Sequence, residues 1–230
     1  MVTQSKINNI RNNNGAAGGP APLRTNDFSV RGAVVPLDKI ADLRVVNGTI
    51  NRRTALLIDN SNCREHALAA GKRLVSVMSA LTTSSLYVYA FDGLAYPLEL
   101  NKGTDAGWRD VLSRLTPGAR TAAGSPLVHM RENGRVTEQI VIVTDGREDQ
   151  APRFADELDE YRRQLGVQPR IVIVRVGTFD RSFEEELRQN KADVRGVVFD
   201  GPGSLSRLIG ILATPSRLDR LVDRIEMPAW

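Results

Sequence analysis

The strongest constraint on the fold comes from two uninterrupted apolar runs, residues 140–143 and 171–174, which both read IVIV. Strands that are apolar on both faces are typical of a parallel sheet covered by helices on each side, because a half-solvated strand alternates apolar with polar residues. Amphipathic stretches of helical period separate these and further short apolar runs. The pattern predicts an α/β fold, with a doubly wound, mainly parallel sheet flanked by helices. We expect strands at residues 54–59, 85–91, 96–100, 138–145, 169–177 and 195–200, and helices at residues 63–81, 106–115, 125–132, 153–166, 182–190 and 203–213.

Composition divides the chain into three parts. Residues 1–52 form an extended N-terminal arm, whose first 32 residues are rich in Asn, Gly, Ala and Pro and too poor in large apolar side chains to fold alone. Residues 53–214 carry the predicted strands and helices. Residues 215–230 form a short C-terminal amphipathic tail, which we expect to be helical and either to pack on the domain or to contact another subunit. Its candidate partner-binding residues are Leu218, Leu221, Val222, Ile225 and Trp230.

Residue counts and charge exclude several functional classes. Cys63 is the only cysteine, which excludes a disulfide framework and a cysteine-rich zinc cluster. No apolar run approaches the ~20 residues of a membrane span, and the Asn-rich start lacks the apolar core of an export signal. We therefore expect a cytoplasmic protein, or part of a viral particle assembled in the cytoplasm, without a membrane partner. The net charge of +4 lies wholly in the arm, which carries seven basic and three acidic residues. This distribution does not favour nucleic-acid binding, and the basic arm is where such a contact would occur.

Oxygen-bearing side chains recur where predicted strands end and a predicted helix begins. Asp59 and Ser61 come at the end of the first strand, Asp145 ends the strand at residues 138–145, and Ser125 starts a helix after a polar loop. Parallel strands bring their carboxyl ends to one edge of the sheet, so these groups should converge there. Carboxylates and hydroxyls suit a hard cation, and the sequence therefore predicts a site for Mg²⁺ or Mn²⁺.

These three segments together resemble the von Willebrand factor type A (vWA) domain: an apolar strand followed by D-x-S, a later G-S-P-L helix start, and a later apolar strand followed by T-D-G. The resemblance covers roughly residues 53–214 and implies a Rossmann-like fold with a metal-ion-dependent adhesion site (MIDAS). It matches Asp59 and Ser61 to the first aspartate and serine, Ser125 to the loop threonine and Asp145 to the last aspartate. In that family hydroxyls bind the cation directly, aspartates act partly through water, and an open coordination position accepts a carboxylate from a partner protein.

Cys63 departs from the family pattern, because it stands where the second serine belongs. A neutral thiol is a poor ligand for Mg²⁺, so the sequence predicts a partly degenerate site with one direct oxygen fewer. Asn60, Asn62 or a water molecule are the alternatives to that oxygen. Thr121 is the alternative to Ser125 as the loop hydroxyl.

The second half of the chain is similar in pattern to the vWA domain of the Ro ribonucleoprotein family. In that family the domain follows a ring of helical repeats that binds small non-coding RNAs. The 52 residues before the predicted domain cannot hold such a ring, so RNA binding does not carry over with the resemblance.

Acidic residues outside the three segments are expected to be solvated or structural. We expect Glu184–Glu186 to form the solvated first turn of a helix, where the helix dipole favours negative charge. Glu148 and Asp149 are expected to be loop carboxylates rather than metal ligands.

The sequence favours a binding function over catalysis. It has no phosphate-binding glycine loop, and its best nucleophile–base pair, Cys63 with His66, lacks a third catalytic group. We therefore expect a non-enzymatic protein–protein interaction module of a multi-subunit assembly, which contacts other protein subunits through the metal-site face and the terminal segments. Two alternatives stay open: a purely structural component of a large particle, such as a virion or tail, with a vestigial metal site, or an accessory subunit of a Ro-like ribonucleoprotein.

Overall fold

A computed structural model of the chain describes residues 37–61, 65–99, 108 and 111–214. The N-terminal arm before residue 37, the segment containing Asn62 and Cys63, and the amphipathic tail lie outside the described residues. The predictions made for the tail side chains Leu218, Leu221, Val222, Ile225 and Trp230 therefore stay predictions.

Six strands form one mainly parallel sheet in the order β3-β2-β1-β4-β5-β6. Every neighbouring pair is parallel except β2 and β3, which form an antiparallel hairpin at one edge. This topology confirms the predicted doubly wound α/β fold. The strands are β1 (Thr54–Asp59), β2 (Leu86–Phe91), β3 (Ala95–Leu98), β4 (Gln139–Thr144), β5 (Arg170–Arg175) and β6 (Val194–Val198). The helices are α1 (Leu37–Asn47), α2 (Glu65–Leu81), α3 (Ser125–Glu132), α4 (Phe154–Leu165), α5 (Arg181–Gln189) and α6 (Pro202–Ala213).

The sheet separates two hydrophobic cores, because successive side chains of a strand point to opposite faces. In β1, Leu56 and Ile58 pack with α2 and α6, whereas Ala55 and Leu57 pack with α3, α4 and α5. All six residues of β1 and of β4 are buried, as the uninterrupted apolar runs predict. Each large aliphatic side chain removed from water in this way contributes about 1.5–3 kcal/mol to folding.

Helix α1 lies within residues 1–52, the segment predicted as the N-terminal arm. The helix packs against α2 and α6: Ile40 is buried in the core, the Arg44 guanidinium donates to the carbonyl of Ala80 at 2.7 Å, and Asn47 Nδ2 donates to Ser206 Oγ at 3.1 Å. Two adjacent apolar side chains of α1, those of residues 45 and 46, are almost fully exposed. They break the apolar stripe of an amphipathic helix, so periodicity alone did not predict α1.

Glu184 is buried, which corrects the expected solvated first turn of the helix at residues 181–189. Its carboxylate forms ion pairs with Arg175, at the end of β5, and with Arg188, one turn along α5. The Arg175 side chain lies against Gly196 of β6, where a Cβ would overlap its guanidinium. The ion pairs thus join α5 to the carboxyl end of the sheet.

Candidate functional site

Asp59, the last residue of β1, is fully buried, and hydrogen bonds from Ser61 and Thr144 hold its carboxylate. Its Oδ1 accepts the backbone amide of Ser61 at 3.0 Å and the Ser61 hydroxyl at 2.7 Å. Its Oδ2 accepts the hydroxyl of Thr144, the last residue of β4, at 2.9 Å. Hydrogen bonds to a carboxylate are stronger than those between neutral groups, so these three fix the position of the Asp59 side chain.

The end of β4 continues the same network. The Thr144 hydroxyl accepts the amide of Gly146 at 3.0 Å while it donates to Asp59. Asp145 Oδ1 accepts the amide of Arg147 at 3.0 Å, and its Oδ2 lies 3.8 Å from Arg147 Nε. Ile58 is paired with Val143 in the parallel register, so Asp59 and Asp145 emerge at the same edge of the sheet. We call this edge, at the carboxyl ends of the parallel strands, the strand-end edge.

Glycine is required at position 146 in this turn. Its φ of +83° lies in the left-handed region, and a Cβ there would overlap the backbone oxygen of Asp180 and the ring of Phe179. The loop after β5 therefore packs directly on the turn that carries Asp145, and the amide of Asp180 donates to the Asp145 carbonyl at 2.7 Å.

The loop before α3 supplies the two candidate hydroxyls. Ser125 is the first residue of α3, and its buried hydroxyl donates to the carbonyl of Ala122 at 2.8 Å. Thr121 is buried, and its amide donates to Asp149 Oδ1 at 2.7 Å. The Thr121 hydroxyl has no hydrogen bond to any residue that the structure describes. Both candidate hydroxyls therefore lie at the strand-end edge.

Asn60 presents an unsatisfied acceptor at the same edge. Its Nδ2 donates to the carbonyl of Thr116 at 2.8 Å, and its backbone amide donates to the carbonyl of Phe91 at 2.7 Å. Its Oδ1 is buried without a hydrogen-bond partner among the described residues. A buried amide oxygen in this state costs about 1–3 kcal/mol, which a ligand with a positive charge or a donor group would offset.

The oxygen atoms at the strand-end edge fit a hard cation. The hydroxyls of Ser61 and Ser125 both donate their protons to protein acceptors, so the lone pairs left on them can face a cation. Hydroxyl and carboxylate oxygens, the groups that these two serines, Asp59 and Asp145 carry, are the types of ligand that Mg²⁺ and Mn²⁺ prefer. Within the described part of the chain, no three His, Cys, Asp or Glu side chains lie close enough together to hold a metal, so such a site would depend on hydroxyls. Whether Cys63 weakens the site stays a prediction.

Glu148 lies in the loop after β4, and its carboxylate is buried there. Its side chain is 3% exposed, and its Oε1 accepts the amide of Phe154, the first residue of α4, at 2.8 Å. Burial raises the pKa of Glu148 to about 7, and the nearby charge of Glu186 acts in the same direction. The residue that precedes α4, Arg153, makes no capping hydrogen bond with its side chain. Arg153 therefore stands where a capping Ser, Thr, Asp or Asn is usual. This substitution is the one sequence signal that another side chain must accept the hydrogen bonds of the first amides of α4.

In the part of the chain that the structure describes, none of the helices has the length and apolar character needed to cross a membrane.

Comparison with solved structures finds the same fold in proteins of low sequence identity. The Ro (RSR) protein of Deinococcus radiodurans matches with a TM-score of 0.50 and 15% identity, over 71% of this chain and 35% of that one. Proximal thread matrix protein 1 from the mussel byssus matches with a TM-score of 0.54 and 19% identity, over 72% of this chain and 48% of that one. BatB from Bacteroides thetaiotaomicron matches with a TM-score of 0.50 and 16% identity, over 70% of this chain and 98% of that one.

The chain thus spans about a third of the Ro protein and about half of the thread matrix protein. No protein-family model and no curated protein sequence matches it significantly. The parallel sheet in the order β3-β2-β1-β4-β5-β6, with one antiparallel edge strand and helices on both faces, is a vWA-like fold, as the sequence resemblance implied.

Proposed function

We propose that this protein is a non-enzymatic interaction module that binds a protein partner at the strand-end edge, with a divalent cation held by Asp59, Ser61, Ser125 and Asp145. The observation that carries the proposal is the arrangement at Asp59. Its carboxylate accepts a hydrogen bond from the Ser61 hydroxyl, so the lone pairs of that hydroxyl are left for a cation. The vWA-like fold also supports an interaction role. This support comes from the fold alone, since the proteins that share it differ in size and name.

The residues at this edge would act by holding charge and geometry in place. Asp59 and Asp145 supply negative charge, and the hydroxyls of Ser61 and Ser125 supply neutral oxygen ligands. When bound, Mg²⁺ or Mn²⁺ would supply a positive centre that attracts an oxygen ligand of the partner. Thr144 and Gly146 hold the two aspartates in register through their hydrogen bonds, so the edge needs little rearrangement to accept a cation.

The proposal is tested with the full-length chain by isothermal titration with Mn²⁺ and by partner pull-down in Mg²⁺ and in chelator. Asp59→Ala and Asp145→Ala should weaken Mn²⁺ binding at least tenfold, because each removes one of two charged ligands. Glu132→Ala, an exposed acid at the opposite end of α3, is the matched control and should bind Mn²⁺ as the wild type does. Circular dichroism checks that each variant is folded.

Unchanged Mn²⁺ affinity in both aspartate variants would contradict a metal site at this edge. A partner that is retained equally in Mg²⁺ and in chelator would contradict a metal-dependent contact. That second result would favour a purely structural role, in which surfaces other than the metal edge hold the assembly together.

A further inference from the structure

Two large apolar side chains are exposed where the β2–β3 hairpin turns at the strand-end edge. Leu94 is 65% exposed and Tyr96 is 37% exposed, and few other large apolar side chains in the described residues are exposed to this extent. Asp92 holds this turn. Its Oδ1 accepts hydrogen bonds from the backbone amide of Leu94 at 3.0 Å and from the side-chain hydroxyl of Tyr96 at 3.2 Å. The pair is therefore a held apolar surface rather than a frayed turn.

The loop that carries Arg120 packs against the turn of this hairpin. The amide of Ala122 donates to the Asp92 carbonyl at 2.7 Å, which joins the loop of Arg120 to the hairpin turn. Gln150 links the two segments a second time: its Nε2 donates to the Gly93 carbonyl at 3.3 Å, and its Oε1 lies 3.5 Å from the Arg120 guanidinium. We call the surface formed by Leu94, Tyr96 and Arg120 the hairpin patch.

The Arg120 guanidinium is available to a partner. Most of the described arginines form an ion pair with a carboxylate, including Arg53, Arg131, Arg135, Arg153, Arg162, Arg163, Arg170, Arg175, Arg188 and Arg195. Arg120 is exposed and has no carboxylate partner among the described residues. Among the described residues, its hydrogen-bond partner is the neutral amide of Gln150. Tyrosine and arginine, two of the three residues of this patch, are among the residue types enriched at protein–protein interfaces.

We propose that the hairpin patch binds an acidic protein segment that carries an apolar residue next to its carboxylates. The apolar residue packs on Leu94 and Tyr96, and a carboxylate forms a bidentate pair with Arg120. This inference rests on the proposed function, since it assigns the class of partner to the same edge. A nucleic acid fits less well, because its phosphate backbone needs a continuous basic stripe and the hairpin patch contributes one arginine.

The test uses the full-length chain and a fluorescent peptide in which Gly-Glu-Leu-Glu is repeated three times. Fluorescence anisotropy measures its binding in Mg²⁺ and in chelator, beside a peptide with Gln in place of Glu and a twelve-residue uridine RNA. Leu94→Asp and Arg120→Glu should each weaken binding of the acidic peptide about fivefold or more. Val198→Asp and Arg207→Glu, an exposed apolar residue and an exposed arginine elsewhere on the domain, are the matched controls and should leave it unchanged.

The outcomes separate this inference from the proposed function. Weaker binding in Leu94→Asp and Arg120→Glu, but not in Asp145→Ala or in chelator, supports the hairpin patch and contradicts the metal site. The reverse pattern supports the metal site and overturns the patch. Binding of the Gln peptide or of the RNA as tightly as the acidic peptide, equal effects of the control variants, or no binding of the acidic peptide up to about 1 mM would each overturn the inference.

Discussion

Replacing Glu148 with Gln should stabilise the protein above pH 7 and change its stability little near pH 4.5. The Glu148 side chain is almost completely buried, its Oε1 accepts a hydrogen bond from the Phe154 amide at 2.8 Å, and its Oε2 has no hydrogen-bond partner of good geometry among the described residues. The nearest cation, the Arg153 guanidinium, lies 3.9 Å from Oε2 and donates to Glu186 at 2.7 Å instead. The charged form of Glu148 is therefore poorly compensated.

The magnitude follows from the pKa of this carboxyl group. Burial is the largest cause that raises the pKa of Glu148 from 4.5 to about 7, while the Phe154 amide and Arg153 lower it. Between these two pH values the folded protein keeps the proton that the unfolded chain has lost. The free energy of unfolding therefore falls as the pH rises from 4.5 through about 7, by about 3 kcal/mol in total. Gln keeps the acceptor for the Phe154 amide and carries no charge, so Glu148→Gln should lose this pH dependence.

Urea unfolding followed by circular dichroism at pH 5, 6.5 and 8, with chelator present, measures the effect. Glu148→Gln should exceed the wild type by up to about 3 kcal/mol at pH 8 and by much less at pH 5. Glu132→Gln, at an exposed position, is the matched control and should follow the wild-type curve. Parallel pH profiles for the wild type and Glu148→Gln would refute the reasoning, because they would mean that Glu148 titrates alike in the folded and unfolded chains.

Two further predictions concern packing and buried charge. Gly118→Ala should lower the free energy of unfolding by about 1–3 kcal/mol, since a Cβ there overlaps the Asp92 carboxylate. Gly203→Ala, in open space in the first turn of α6, should instead raise it by about 0.5–1 kcal/mol, and urea unfolding that shows the same sign for both would contradict this packing. Glu184→Gln should cost about 3 kcal/mol, because it leaves the half-buried Arg175 without its carboxylate partner. Thermal unfolding checks this last value, and a loss no greater than for an exposed glutamate would count against a structural ion pair.

The order of strands and helices could be predicted because the central strands are buried on both faces. A strand such as β4 contains an uninterrupted apolar run, and few other segments of the sequence contain such a run. Gly166 illustrates a boundary that local chemistry sets: it ends α4 in the left-handed conformation, with φ of +67°, as the glycine after an amphipathic helix predicts. Helix α1 could not be predicted in this way, since its contacts with α2 and α6 are tertiary and two of its apolar side chains face outward.

In the candidate site too, contacts between residues close in sequence could be predicted, whereas contacts between distant residues could not. Asp59 and Ser61 are two residues apart, and their hydrogen bonds follow from the local turn chemistry of an aspartate at i and a serine at i+2. The bond from Thr144 to Asp59 joins residues 85 positions apart, and the sequence analysis did not anticipate it. The burial of Glu148 and Glu184 likewise depends on which elements the fold brings against them. For Glu184 the acidic character suggested solvation, and the structure corrects that expectation.

The loop at residues 116–124 is bonded to three segments of the strand-end edge, and this argues for binding through a preformed surface. The amide of Gly118 in this loop donates to the Asn60 carbonyl at 3.1 Å, and that of Ala122 donates to the Asp92 carbonyl at 2.7 Å. The Thr121 amide donates to Asp149 at 2.7 Å. One loop is thus bonded to the segments that follow β1, β2 and β4, so the candidate hydroxyls and the hairpin patch are positioned relative to Asp59 before a ligand arrives. Because ordering such groups on binding is costly, a surface already held by backbone hydrogen bonds can use more of its contact energy for affinity. Substitutions of exposed side chains on this edge should for the same reason change partner binding much more than the free energy of unfolding.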